Sequence, residues 1–382
     1  MESSPKSRRR RAKGSSSIDE RENLAGRRHR SLASPRDMCW RSDTPGLKWI
    51  NLALQGGGAH GAFAWGVLDR LLEDERIAVD GISATSAGAM NATVFAYGLA
   101  AGARDGAKTA LEKFWRRIAQ AAALSPLQPT FLDRIAGNRS LENSLAFAIF
   151  DLLSRLLSPY QFNPLNFNPL RQVLVDTVDF EALRHTHCPV KLFLSATNVR
   201  TGKIRVFDND EIGPDAVLAS GCLPFLFRAV EIEGEHYWDG GYMGNPAIFP
   251  LIYGCESRDV VIVHINPLER ETLPITASEI MNRVNEISFN SSLMREMRAI
   301  AFVTKLIEEG KIANGSLKHM MVHGIMAEDV MRELSVASKL NADLDHLLRL
   351  KEVGRETAHT WLSEHFSKLG KRSSIDIRAM YL

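Results

Sequence analysis

Two short stretches, thirty residues apart, carry residue types suited to acyl transfer. The first is the glycine loop GGGAHG at Gly56–Gly61, which directly follows the apolar run Ile50–Leu54. The second is ATSAG at Ala84–Gly88, which directly follows Val79–Ser83. A glycine loop offers free backbone N–H groups, and a serine between small residues offers a nucleophile. Attack on an ester carbonyl needs both an attacking group and donors for the oxyanion.

The glycine loop has three interpretations. Its spacing fits G-x-G-x-x-G, but a dinucleotide site also needs an acidic residue where the second strand ends. Asp80 comes before the predicted strand Gly81–Ala84 rather than at its end, and no Lys-Ser or Lys-Thr follows the glycines. Nucleotide binding and tight packing alone remain alternatives to the favoured interpretation, an oxyanion hole. Such a hole would lie in the loop Gly56–Gly61.

The second stretch resembles a nucleophile elbow, a sharp strand-to-helix turn that needs small residues two positions either side of the serine. Ser86 has Ala84 and Gly88 at those positions, whereas the competing Ser83 lacks such a pair. Alanine adds one methyl group where glycine is usual, so the elbow can form with less room. A right-handed crossover would place both loops side by side at the carboxyl ends of adjacent parallel strands.

A nucleophilic serine also needs a base. The chain has 11 histidines, and none lies in a convincing loop after a late strand. His264 falls within a buried strand pattern, and His60 lies in the glycine loop, so both are interpreted as structural. Asp239 stands before Gly240 and Gly241, a pattern that by itself is ordinarily a plain turn.

Four segments resemble the patatin-like phospholipase family, and they occur in the family's order over about residues 49–252. They are LALQGGGAHGAFAWGVLDRLLED, GISATSAGAMNA, ASGCLPFLF and WDGGYMGNPAIFPLI. The resemblance implies a Ser-Asp dyad without histidine, with Ser86 as nucleophile and Asp239 as its base. It also implies that Gly56, Gly57, Gly58 and Gly61 form the oxyanion hole. The supporting motif positions are Ala84, Gly88, Gly240 and Gly241.

The resemblance implies hydrolysis of carboxylic esters of lipids, as by a phospholipase A or lysophospholipase. It implies no metal and no organic cofactor. A non-phospholipid esterase, a storage-polyester depolymerase and a non-catalytic lipid-binding scaffold are the alternatives. The expected partner is a lipid or other ester substrate, with peripheral contact to a membrane or a lipid or polyester granule.

Apolar strand-like runs alternate with helix-like runs through the first two thirds of the chain. This order indicates an α/β fold, a three-layer α/β/α sandwich with a mainly parallel sheet. The predicted strands are Lys48–Leu54, Gly81–Ala84, Val190–Thr197, Lys203–Phe207, Glu231–Tyr237 and Asp259–Ile265. The predicted helices are Gly61–Glu73, Ala87–Gly98, Leu111–Ala121 and Ala216–Ser220.

Three regions are expected along the chain. Residues 1–46 read as a disordered basic tail, 47–255 as the patatin-like hydrolase domain, and 256–382 as the last core strand with a helical C-terminal extension. The apolar run Ser140–Leu157 predicts either a core helix or a lid over a lipid-binding cleft.

Composition excludes several function classes. The net charge is +2, but residues 1–44 contain twelve Lys/Arg and six Asp/Glu, which leaves the body mildly acidic and argues against nucleic-acid binding. The four cysteines are scattered without a CxxC pair, so no zinc site is expected. No secretory signal and no long apolar run is present, which predicts a cytoplasmic location.

Overall fold

The computed structural model describes residues 39–40, 44–123, 156–185, 188–313, 315–334 and 337–382. The predictions of a disordered tail at 1–46 and of an apolar helix at 140–157 fall almost entirely outside these ranges. No helix in the described part of the chain is long and apolar enough to cross a membrane.

The described residues form strands and helices that alternate along most of the chain. The strands are β1 (Lys48–Leu54), β2 (Ile77–Ala84), β3 (Lys191–Asn198), β4 (Ile204–Phe207), β5 (Val230–Ile232), β6 (Glu235–Asp239), β7 (Asp259–Val263) and β8 (Met321–Ile325). The helices up to β5 are α1 (Gly61–Leu72), α2 (Ala87–Ala122), α3 (Pro159–Phe162), α4 (Pro169–Thr177), α5 (Phe180–His185) and α6 (Pro214–Ser220). The later helices are α7 (Phe249–Gly254), α8 (Ala277–Glu308), α9 (Glu328–Glu333), α10 (Leu344–His365) and α11 (Ile377–Tyr381).

The strands join into one mixed sheet in the order β5-β6-β3-β2-β1-β7-β8, with β4 paired to β3. The pairs β3–β2, β2–β1, β1–β7 and β7–β8 are parallel, and the pairs that involve β4, β5 and β6 are antiparallel. The predicted mainly parallel sheet is confirmed.

Helices cover both faces of the sheet because β1 is apolar on both sides. Leu52 and Leu54 belong to a core shared with α1, α2 and α10, whereas Ala53 belongs to a second core shared with α7 and α8. Strands that are buried on both faces read as continuous apolar runs. The three-layer sandwich and the helical C-terminal region are both confirmed.

One predicted strand differs from the structure, and one strand of the structure was not predicted. The single strand at Glu231–Tyr237 is wrong: β5 and β6 form a hairpin whose turn residues, Glu233 and Gly234, have φ values of 52° and 79°. Two positive φ values give the tight turn that matches the twist of paired strands. The C-terminal region also contains β8, which was not predicted and which extends the sheet beyond β7.

The predicted helices Ala87–Gly98 and Leu111–Ala121 are two parts of α2. The helix is interrupted at Gly102 and Ala103, whose φ and ψ values are not helical. The kink therefore separates the part of α2 that starts at the serine elbow from the part that packs on α4.

The parallel strands β1, β2 and β7 end at the same edge of the sheet. The chain leaves these strands through Gln55, Thr85 and His264, so the glycine loop and Ser86 lie side by side, as predicted. Ligand sites of open α/β sheets lie at this carboxyl edge.

Candidate active site

Ser86 occupies a strained turn between β2 and α2. Its φ of 56° and ψ of −123° are unfavourable for a residue with a Cβ atom, and such strain is concentrated at functional sites. Its N–H donates to the Ser220 hydroxyl at 2.9 Å, which fixes the turn from the neighbouring helix α6. A Cβ at Gly88 would lie 2.4 Å from the Leu54 carbonyl oxygen, so this position needs glycine.

Ala84 is fully buried at the end of β2 and the turn still forms. The alanine at this motif position is therefore compatible with the elbow geometry. The role of Ser86 as nucleophile stays a prediction.

The glycine loop lies directly against the elbow. A Cβ at Gly56 would approach the Ser86 Cβ to 2.6 Å, so only glycine lets the loop pass this close. The Gly56 N–H donates to Asn245 Oδ1 at 2.7 Å, and the Gly56 carbonyl accepts from Asn266 Nδ2 at 2.7 Å. Two buried carboxamides thus hold Gly56, one through its N–H and the other through its carbonyl.

The N–H groups of the loop differ in their availability. The Gly56 N–H is used by Asn245, and the Gly61 N–H donates back into the turn to the carbonyls of Gly58 and Ala59. Among the described residues, the N–H groups of Gly57 and Gly58 have no hydrogen-bond acceptor. Gly58 has a φ of 59° and is exposed. Gly57 and Gly58 are therefore the loop positions with donors to offer.

Asp239 ends β6 and is completely buried. Its Oδ1 accepts the Gly241 N–H at 2.7 Å, and its own N–H donates to the Cys222 carbonyl at 2.8 Å. A Cβ at Gly240 would lie 2.1 Å from the Ser195 carbonyl oxygen. The Asp-Gly-Gly segment is thus a buried corner of the sheet, which excludes the plain exposed turn.

Burial raises the pKa of Asp239 to about 7, although the hydrogen bond from the Gly241 N–H and the nearby Ser86 hydroxyl act to lower it. Among the described residues, its Oδ2 has no partner within ordinary hydrogen-bond distance and angle. The Ser86 hydroxyl therefore lies beside the carboxylate without forming a full hydrogen bond to it. Contacts between a nucleophile and its base are often looser in a site without substrate.

The competing nucleophiles are engaged elsewhere. The Ser83 hydroxyl is buried and donates to the Ala247 carbonyl at 2.5 Å. The Cys222 thiol donates to the Arg228 carbonyl at 3.0 Å, and burial raises its pKa to about 12. Neither group is a reactive nucleophile in this environment.

The two histidines interpreted as structural are buried. His264 is hydrogen-bonded through Nε2 to the Tyr381 hydroxyl at 2.8 Å, and burial lowers its pKa to about 4. His60 lies 2.7 Å from the Ser338 hydroxyl, and burial lowers its pKa well below the ordinary value. Both rings are therefore neutral and packed.

The C-terminal region holds the outer side of the glycine loop, a role that the sequence did not indicate. A Cβ at Gly58 would lie 2.4 Å from the Lys339 carbonyl oxygen, so the short helix Ala337–Leu340 packs on the loop. Lys339 Nζ donates to Asn266 Oδ1 at 3.0 Å, and Asn266 in turn binds Gly56. The conformation of the loop therefore depends on residues far downstream.

A cavity of about 550 Å³ opens beside the elbow. Gly221 and Cys222 form its inner wall, and a Cβ at Gly221 would lie 3.6 Å from Ser86 Oγ. Arg228, Tyr160 and Phe167 line its outer part. Its lining therefore carries both polar and apolar groups close to the elbow, and Ser86 itself is not part of that lining.

Within the described residues, no group of three or more His, Cys, Asp or Glu side chains has the arrangement of a metal site. A strained serine between a parallel strand and a helix, beside a glycine loop, is the arrangement of serine hydrolases built on α/β sheets. The sequence model of the patatin-like phospholipase family matches residues 52–252, and the chain belongs to this family of lipid hydrolases.

No curated protein matches the chain. Among solved structures, VipD from Legionella pneumophila is 17% identical with a TM-score of 0.40, and the match covers 84% of this chain and 68% of VipD. A chain of the heterodimeric ExoU–SpcU complex from Pseudomonas aeruginosa is 15% identical with a TM-score of 0.34. That match covers 85% of this chain and 52% of the other, so this chain spans about half of its length.

Proposed function

We propose that the chain is a serine hydrolase that cleaves carboxylic esters of lipids, with Ser86 as nucleophile and Asp239 as the base. The observation that carries the proposal is the strained Ser86 beside a buried carboxylate whose pKa is about 7. A base with a pKa near the working pH combines a sufficient ionised fraction with a useful affinity for the proton. Membership of the patatin-like phospholipase family supports the lipid substrate.

In the acylation step, Ser86 Oγ attacks the ester carbonyl carbon as Asp239 takes the hydroxyl proton. The carbon–oxygen double bond opens, and the negative charge moves to the carbonyl oxygen. When the tetrahedral intermediate collapses, the bond to the alcohol oxygen breaks and Asp239 returns the proton to that oxygen. The products of this step are the free alcohol and an acyl ester on Ser86.

The N–H groups of Gly57 and Gly58 are the donors for the oxyanion, because those of Gly56 and Gly61 are already used inside the fold. Donors that are fixed before the reaction stabilise the developing charge without reorganisation. Gly56 and Gly61 then contribute through the absence of a side chain. A Cβ at Gly56 would collide with Ser86, and a Cβ at Gly61 would collide with Ala87 where α1 begins.

In the deacylation step, Asp239 takes a proton from water, and the resulting hydroxide attacks the acyl carbonyl carbon. The bond to Ser86 Oγ breaks, Asp239 returns the proton to Oγ, and a carboxylic acid leaves. The same aspartate serves both halves of the reaction, so no histidine is required. This agrees with the neutral, packed state of His60 and His264.

Hydrolysis of p-nitrophenyl esters of increasing acyl length tests the proposal. Wild type, Ser86→Ala and Asp239→Asn are compared, with Ser83→Ala as the matched control because Ser83 donates only to the Ala247 carbonyl. We expect losses of roughly 10³-fold or more in kcat for the first two variants and full activity for the control. The acyl-length optimum separates a lipid hydrolase from a short-chain esterase.

Equal activity in wild type and Ser86→Ala would overturn the proposed nucleophile. Suppose that the wild type hydrolyses neither these esters nor phospholipid vesicles and is not labelled by a fluorophosphonate. That result would favour a non-catalytic lipid-binding scaffold. Release of hydroxy acids from a polyester at rates above those on phospholipid would assign the storage-polyester alternative.

A further inference from the structure

The N-terminal half of α8 presents apolar side chains to solvent. Ile280, Val284 and Ile287 follow one another at spacings of four and three residues, so they lie on one side of the helix. Each is about half exposed, at 47%, 55% and 54%. Leu273 and Ile275, in the segment that leads into α8, are 82% and 79% exposed. We call these five residues the α8 apolar face.

The helix that carries this face is firmly anchored. Leu293 and Met297 are fully buried in the second core. In the N-terminal half, Glu286 is buried and pairs with Arg270 at 2.6 Å and Arg283 at 3.3 Å. Thr276 and Glu279 form a capping box that starts the helix. The apolar side chains are therefore held outward by packing on the opposite side of α8.

The same side of the helix becomes cationic further on. Arg295 and Arg298 are exposed and lie two to three turns beyond Ile287. Among the described residues, neither guanidinium has an acidic partner or a hydrogen-bond acceptor. An apolar stripe with adjoining free cations is the pattern of helices that lie in the interface of an anionic membrane.

The helix that carries the α8 apolar face also contacts the candidate active site through its inner side. Phe289, two residues after Ile287, packs edge-on against Tyr242 with ring centroids 5.1 Å apart. A Cβ at Gly241 would lie 2.9 Å from the Phe289 ring. The next residue, Asn290, accepts a hydrogen bond from Gln55 at the start of the glycine loop. The inner side of α8 thus contacts the Asp239 corner, and the α8 apolar face lies on the opposite, outer side of the same helix.

We propose that the α8 apolar face, with Arg295 and Arg298, docks the protein onto the surface of a lipid bilayer that contains anionic lipid. The apolar side chains enter the headgroup region and the arginines contact lipid phosphates. The proposal goes beyond the proposed function, because it concerns binding and does not require hydrolysis. Large exposed apolar surfaces on a folded protein mark such interaction sites.

The test is cosedimentation with phosphatidylcholine vesicles that contain or lack phosphatidylglycerol. All proteins carry Ser86→Ala, so the lipid stays intact. We expect Ile280→Glu combined with Val284→Glu to weaken binding roughly ten-fold or more on anionic vesicles. Arg295→Gln and Arg298→Gln should each weaken it about five-fold, only when phosphatidylglycerol is present and only at low salt.

Val175→Glu is the matched control, because Val175 is a valine of similar exposure, 48%, on α4 in the opposite helix layer. Ile280→Ser with Val284→Ser repeats the test without adding charge, and thermal melting verifies the fold of each variant. Unchanged vesicle binding in the α8 variants, or equal loss in Val175→Glu, overturns the proposal. Conversion of a dimer to a monomer with unchanged vesicle binding also overturns it and assigns the face to a second copy.

This result is separable from the catalytic proposal. In proteins that retain Ser86, the α8 variants should hydrolyse soluble p-nitrophenyl esters at the wild-type rate and vesicle lipid more slowly. Loss of hydrolysis of both substrates would place α8 in the active site itself and contradict a docking role.

Discussion

Asn245 Oδ1 accepts the N–H of Gly56 at 2.7 Å, a buried hydrogen bond between residues 189 positions apart. It joins the loop after β1 to the segment that follows Asp239. The two halves of the candidate site, the glycine loop and the segment that contains Asp239, are thereby fixed to each other. Asn245 is itself held by Ser292 on α8, whose hydroxyl accepts the Asn245 N–H at 3.3 Å.

Asn245→Ala should lower kcat about ten- to a hundred-fold with little change in KM, because a small displacement of the loop misaligns its donors. The buried Gly56 N–H also loses its acceptor, at about 1–3 kcal/mol of stability. Asn51→Ala is the control, since the Asn51 side chain is buried and binds the Ser257 carbonyl at the opposite end of β1. If both variants lose activity equally, Asn245 acts only through stability.

The rate of ester hydrolysis should depend on the ionisation of Asp239. Because only the carboxylate can accept the Ser86 proton, kcat/KM should fall as the pH drops below about 7, where the pKa of Asp239 lies. Glu296 provides a control. Burial raises its pKa to about 7 as well, but its carboxylate accepts the N–H groups of Ile248 and Phe249 at the start of α7. Glu296→Gln should leave the profile of kcat/KM against pH unchanged. A profile flat to about pH 5 would exclude Asp239 as the base.

The free energy of unfolding should also depend on the ionisation of Asp239. The folded-state pKa of Asp239 is about 7, above the ordinary carboxyl value of about 4, so in this window the folded protein holds a proton that the unfolded chain releases. The contribution of Asp239 to stability therefore falls as the pH rises from about 4 to about 7 and is constant above. The free energy of unfolding of Asp239→Asn, minus that of wild type, should rise over this window. A constant difference would contradict the raised pKa.

The stability of the protein should be sensitive to added side-chain volume where α10 contacts α1. A Cβ at Gly354 would lie 2.1 Å from the Phe63 carbonyl oxygen, and one at Gly66 would lie 1.8 Å from the Lys351 carbonyl oxygen. Gly354→Ala should therefore destabilise the protein by about 1–3 kcal/mol through overpacking. Gly102→Ala is the control, because nothing lies within 4 Å of a Cβ there. Denaturant unfolding measures the stability of both variants. Equal midpoints would show that α10 and α1 accommodate the added methyl group without cost and would contradict the prediction.

Local features made much of this architecture predictable. Ser86 and the glycine loop each follow an apolar strand directly, so chain order alone placed them at one edge of the sheet. Asp239 needed the family resemblance, since its burial comes from packing against β3 and α8 that no local pattern encodes.

Long-range contacts explain what the sequence did not predict. Strand β8 is a short segment of mixed polarity, and it becomes a strand only by pairing with β7, where His323 lies 2.9 Å from Asp259. Ser220, Asn245 and Asn266 act through hydrogen bonds to residues far away in sequence. The hydrogen bond from the Gly56 N–H to Asn245 likewise distinguishes this group from the N–H groups of Gly57 and Gly58, and no local pattern predicts it.

The central claim is that Ser86 is a nucleophile activated by Asp239. Its most direct test is mass spectrometry of the protein after reaction with a fluorophosphonate that carries an alkyl chain. We expect one phosphonyl group per chain, on the peptide that contains Ser86, with labelling much slower in Asp239→Asn and absent in Ser86→Ala. Labelling at another residue, or labelling of Ser86 at the same rate in Asp239→Asn, would contradict the account.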